Sequence, residues 1–174
     1  AYAEEEFVGD ALAVLDANGV DRAFIVSLSR GAQRAMLLAA EHPERILGAV
    51  FIDPYFPVSL LRSLHWRVMG HPRMLPMMMR RPLTTRGFGK FNAEHWRADW
   101  KDFVQWWLAK NFNEGHSTKQ IEDGVGWGLE TDGETAIAFS RGAVLTPSDR
   151  KSQLARARRV RCPVLVIHGS EDDV

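Results

Sequence analysis

A five-residue junction, Ser27-Leu28-Ser29-Arg30-Gly31, separates an apolar run from a helical pattern, and it constrains this chain more than any other feature. The run before it is Ala23-Phe24-Ile25-Val26, short and rich in strand-forming residues. After it, Ala32, Ala35, Met36, Ala39 and Ala40 recur at helical spacing. A strand that turns sharply into a helix brings two backbones close together, so small residues are expected at Ser27 and Gly31. Such a turn thrusts Ser29 outward, with its hydroxyl exposed and facing the helix N-terminus, where the amide of Arg30 can donate to a developing negative charge.

The elements around the junction follow the same rule. Phe7, Val8, Ala11, Leu12 and Leu15 predict a helix with one buried face, ended by Asn18-Gly19. The helix after the turn is closed by Pro43. Ile46 to Ile52 is apolar without alternation, as expected of a parallel strand covered on both faces. A further strand is predicted in Cys162-Pro163-Val164-Leu165-Val166-Ile167, followed by His168-Gly169-Ser170-Glu171-Asp172.

Taken together, these segments resemble the α/β-hydrolase family, whose order is nucleophile strand, helix, strand, and later a strand with an acid loop. The resemblance implies an α/β fold with a parallel-sheet core, incomplete here, and an inserted helical cap. It implies Ser29 as nucleophile, Asp172 as the acid of a triad, and the backbone amide of Arg30 as an oxyanion donor. Asp53, at the end of the preceding strand, is an alternative acid position in that family, although beside Pro54 it reads first as a turn residue. His168 reads as a packing residue or a support for the acid. The triad histidine of the family follows the acid by one further strand, and none of His42, His65, His71, His95, His116 or His168 occupies that position. The chain is therefore expected to be a fragment, with flanking strands and the base lying outside it, and to be inactive alone.

Charge divides the chain in the same places. Residues 1–54 carry 4 Lys/Arg against 9 Asp/Glu, and residues 55–161 carry 18 against 10. All six Trp also fall in the middle stretch. The expected organisation is thus 1–55 core with the nucleophile turn, 56–161 helical cap insertion, and 162–174 core strand and acid loop. Within the insertion, helices are predicted over Val58 to Met69 and over Ala93 to Lys110, where Trp96, Trp100, Phe103, Val104, Trp107 and Leu108 share a face. Pro72 to Pro82 is expected to be irregular, with methionines suited to an apolar lining. Ser117 and Gln120 form a capping-box pattern, for which Glu114 and His116 are loop neighbours.

No apolar stretch approaches the roughly 20 residues of a membrane span, and the first residues are acidic, so a cytoplasmic protein without a membrane partner is expected. The single Cys162 excludes an internal disulfide. The basic run Arg150 to Arg161 has no interleaved aromatic and reads as a solvated face rather than a nucleic-acid site. No metal or organic cofactor is implied. The expected function is a serine hydrolase acting on an ester, thioester or related carbonyl of a small apolar or acyl-type substrate. A non-catalytic hydrolase-like module that binds a small molecule or regulates a longer protein is the alternative.

Overall fold

The computed structural model describes residues 3–54, 85–112, 114–145 and 150–170. Among these, two compact units separate, one of residues 3–54 and 142–170 and the other of residues 85–141. The division leaves the basic segment after residue 150 in the first unit, whereas the sequence pattern assigned it to the insertion.

The first unit is built on a parallel three-stranded sheet. Helix α1 (Glu4–Ala17) leads to strand β1 (Ala23–Leu28), helix α2 (Gly31–Glu41) and strand β2 (Ile46–Ile52). Strand β3 (Val164–Ile167) pairs with β2 on the side opposite β1, so β2 is central. Gly19 ends α1 in the left-handed conformation that glycine adopts without strain (φ 64°). Arg45 then ties the α1–β1 connection down, its guanidinium reaching Asp16 Oδ1 at 2.6 Å and the carbonyl of Asp21 at 2.7 Å.

Helix α2 is the centre of this unit because its alanines and leucines are buried almost all round. Ala32, Ala35 and Met36 pack on Ala49 and Phe51 of β2, with Ile25 of β1 beside them. Leu37, Leu38 and Ala39 pack on Val8 of α1. Burying a leucine, methionine or phenylalanine side chain stabilises by roughly 1.5–3 kcal/mol, and an alanine methyl by less.

The other sheet face is open on the flanking strands. Phe24, Val26 and Leu28 alternate with the buried face and are exposed, Val26 to 68%, as is all of β3. Strand β2 has no exposed residue, in keeping with the expectation for Ile46 to Ile52, whereas β1 is covered on one face only and β3 on neither among the described residues. The basic segment forms a short helix, Arg150–Ala157, packed against α2, and Arg156 approaches Glu5 of α1 at 4.0 Å.

The second unit opens with a 3-10 turn, Gly87–Lys90, and holds α3 (Ala93–Ala98), α4 (Trp100–Asn111), α5 (Thr118–Gly128) and α6 (Gly133–Leu145) as far as residue 141. With these labels the Arg150–Ala157 helix is α7. The single helix expected over Ala93 to Lys110 is two, broken at Asp99 (φ −153°, ψ 75°), whose carboxylate caps α4 by accepting the amide of Asp102 at 2.9 Å. A short acidic side chain competes for backbone donors and so starts a new helix inside an apolar pattern. The apolar face is nevertheless as expected, with Trp96, Phe103, Val104 and Ile137 buried and ringed by Phe91, Trp100, Trp106 and Trp107.

Helix α5 lies close on α4 through its glycines. A Cβ at Gly128 would stand 2.6 Å from Val104 Cγ1, and Gly124 faces Leu108 in the same way. The capping box expected at Ser117 and Gln120 does not form: the Ser117 hydroxyl accepts no helix amide, and it donates to Glu114 Oε2 at 2.8 Å. That bond holds the Glu114 carboxyl below the usual carboxylate range. The helix expected over Val58 to Met69 and the methionine-rich Pro72 to Pro82 lie outside the described residues.

Candidate active site

Ser29 leaves β1 with φ 50°, in the left-handed region that residues with a Cβ rarely occupy. It is exposed, directly before the first turn of α2. Its own amide donates to Ile52 O at 2.8 Å, continuing the β1–β2 ladder by one step, while its carbonyl accepts the amide of Ala32 at 3.1 Å. The serine is thus held from both sides in a strained turn, and strain of this kind collects where a side chain must be aimed. The expected crowding behind it is present in a milder form. A Cβ at Gly31 would meet Ser27 Cβ at 3.7 Å, an ordinary contact, so alanine fits there.

Arg30 caps α2, which places its amide at the positive end of the helix dipole. Its side chain is drawn toward Glu4, with Nη2 at 3.6 Å from Oε1. Glu4 is buried at 3% exposure and also accepts from Arg34 Nε at 2.7 Å. The Arg30 cation therefore shares a carboxylate with Arg34, which tempers any preference it gives for an anionic substrate.

Asp53 repeats the geometry of Ser29 one strand over. It follows β2 with φ 41°, and its amide donates to Ile167 O at 2.8 Å. Leu28, Ile52 and Ile167 are in register, so Ser29, Asp53 and His168 form one row along the C-terminal edge of the sheet. Across that row the Asp53 carboxylate faces β3. Oδ1 lies 2.8 Å from His168 Nδ1 and accepts the Gly169 amide at 2.7 Å.

Asp172 lies outside the described residues, as do His65 and His71. Of the histidines in the first unit, His42 stands at the far end of α2 and His168 is turned to Asp53. Pattern reading did not pair Asp53, read as a turn residue or alternative acid, with His168, read as a packing residue or a support for the acid, 115 positions away. The only signal available was that each is the first polar residue after an apolar strand.

In the second unit, Asp102 bridges two elements, bonding Lys90 Nζ at 2.6 Å through Oδ1 and His95 Nε2 at 2.9 Å through Oδ2. The Lys90 contact, then that of His95, holds its carboxyl below the ordinary range. These groups join the 3-10 turn and α3 to α4. Among the described residues no cluster of three or more His, Cys, Asp or Glu could hold a metal ion, and no helix is long and apolar enough to cross a membrane.

Comparison with known proteins decides the architecture. A solved hydrolase from Pseudomonas aeruginosa PA01 superposes with a TM-score of 0.62 at 23% identity, covering 97% of this chain and 54% of its own. A carboxylesterase structure from the thaumarchaeon Nitrososphaera gargenis gives 0.61 at 18% identity, covering 100% and 56%. The chain has the α/β-hydrolase fold. Within that hydrolase fold the strained Ser29 stands at the strand-to-helix turn, and the chain spans about half the length of these structures. Epoxide hydrolase B of Mycobacterium tuberculosis (strain ATCC 25618 / H37Rv) is 43% identical over 56 residues, which is 32% of this chain and 16% of that protein. No protein-family model matches.

Proposed function

We propose that this chain carries the nucleophile part of a serine hydrolase that cleaves an ester, thioester or related carbonyl compound. The observation that carries the proposal is Ser29, exposed at φ 50° at the head of a buried helix. In this reading Ser29 Oγ attacks the carbonyl carbon as a base removes its proton. The Arg30 amide donates to the oxyanion, and collapse expels the leaving group to give an acyl-serine that water hydrolyses. Asp172 orients the base. The base itself is a histidine that follows the acid in sequence, as the resemblance implies.

The named relatives include an epoxide hydrolase and a carboxylesterase, and the residue at the turn favours the second chemistry. A serine that opened an epoxide would form an ether, which offers water no carbonyl carbon to attack. A serine that accepts an acyl group forms an ester, which does, so turnover continues.

The test is labelling with a fluorophosphonate, which phosphonylates an activated serine. Labelling of the full-length protein, and none of its Ser29→Ala variant, is the expected result. A folded full-length protein that does not label would replace this reading with a non-catalytic module that binds a small molecule.

A further inference from the structure

We propose that Glu4 is a positioning residue that acts through Arg30: it holds the Arg30 guanidinium against α1, and so makes the site accept a neutral acyl group over an anionic one. The inference rests on the proposed Ser29 chemistry and names the substrate class for it. Arg30 follows Ser29 directly, so their Cα atoms are about 3.8 Å apart. Its guanidinium stands on a flexible stem at the positive end of α2, and both charges would attract an anionic acyl group carried on the serine. That attraction is what Glu4 offsets.

The packing of α1 on α2 explains why this carboxylate acts on Arg30. Glu4 is the first residue of α1, where an acid suits the helix N-terminus. Its side chain keeps only 4% exposure, and a carboxylate so removed from water needs cationic partners. Both come from α2. Oε2 accepts from Arg34 Nε at 2.7 Å, and Oε1 lies 3.6 Å from Arg30 Nη2. Arg30 and Arg34 are four residues apart on one helix face, so without a carboxylate between them they repel. Arg34 is also fixed over the Phe7 ring at 3.7 Å. The Arg30 side chain is 37% exposed and makes the longer contact, so it is the cation that loss of the Glu4 charge would release toward solvent at the head of α2, where Ser29 is also exposed.

The test compares two esters of one chain length on the full-length protein, neutral p-nitrophenyl hexanoate and anionic mono-p-nitrophenyl adipate. The ratio of their kcat/KM values is read for each variant, because damage to the fold lowers both rates and leaves their ratio alone. The wild-type protein is expected to prefer the neutral ester. Glu4→Gln keeps the side-chain shape and an oxygen for Arg34 but removes the charge. It should move the ratio about tenfold toward the anionic ester, the effect of one unit charge about 6 Å away in a medium between protein and water. The shift should shrink as salt is raised. The double variant Glu4→Gln, Arg30→Gln should return the ratio close to the wild-type value.

An unchanged ratio in Glu4→Gln overturns the proposal, and so does a shift that survives in the double variant, which would assign it to a cation other than Arg30. A wild-type protein that already prefers the anionic ester overturns it as well. If Glu4→Gln does not fold, Glu4→Asp decides. It keeps the charge but is one methylene shorter, and the longer contact, to Arg30, is the first to be lost. A shift toward the anionic ester that Arg30→Gln removes supports the proposal, and no shift overturns it. Where Ser29 labels and both esters are hydrolysed but the ratio stays fixed, this inference alone fails. Where the folded wild-type protein neither labels nor hydrolyses either ester, the Ser29 reading fails and the substrate preference falls with it.

Discussion

The amide of Ser29 donates to the carbonyl of Ile52 at 2.8 Å, so the serine is still hydrogen-bonded to the central strand when its backbone has already turned left-handed. The sheet therefore bears the strain of the turn. Removing the Cβ releases that strain and the hydroxyl together. Ser29→Gly is expected to be more stable than Ser29→Ala by about 1 kcal/mol, and both are expected to lose fluorophosphonate labelling. Urea unfolding of the two variants measures the first difference, and equal stabilities would show that the turn is relaxed.

Ile25 and Val26 are neighbours on β1 with opposite surroundings. Ile25 packs against both apolar clusters around α2, whereas Val26 lies on the exposed face. Ile25→Ala should cost about 2 kcal/mol in an unfolding titration, and Val26→Ala less than about 0.5 kcal/mol. A comparable loss at Val26 would mean that the second face is covered in solution.

Glu4 joins α1 to the head of α2 through Arg34, which also lies over the Phe7 ring at 3.7 Å. Glu4→Gln leaves that cation in a mostly buried place without its carboxylate. Since the Arg34 side chain retains 22% exposure, the expected loss is about 2 kcal/mol, below that of a fully buried pair. Asp16→Asn, which breaks the more exposed pair with Arg45, should cost under about 1 kcal/mol. Thermal or urea unfolding of the two variants would rank them, and a reversed order would contradict the burial argument.

Asp102 predicts how the second unit responds to acid. Its folded carboxyl titrates below the ordinary aspartate value, chiefly because Lys90 donates to it and secondarily because of His95. A group depressed in this way contributes stability above its unfolded value of about 3.9 and loses it as pH falls through the folded value. Unfolding followed by tryptophan fluorescence should thus show stability falling below about pH 4, with a shallower fall in Asp102→Asn. An identical acid limb in both proteins would show that the bridge to Lys90 does not form.

Several elements were legible because their causes are local. The span Ile46–Ile52 is a strand over the expected residues, and the serine turn stands between the strand and helix that its flanking residues required. Gly19 stops α1 where Asn18-Gly19 predicted. Asp99 was readable in principle as a cap, yet the strong aromatic stripe on either side of it concealed the break. Ser117 precedes its helix as the pattern required, but its hydroxyl bonds Glu114, three residues earlier, and no helix amide.

The sequence by itself determined the parallel α/β order and the residue at the turn, because strand patterning, helix periodicity and small residues at a tight junction act within a few positions. Only the tertiary structure decided that β2 is central, that β1 and β3 carry exposed apolar residues, and that Asp53 meets His168. Those facts depend on which strands pair and in what register. That pairing brings together residues more than a hundred positions apart, whose local sequences carry no record of each other.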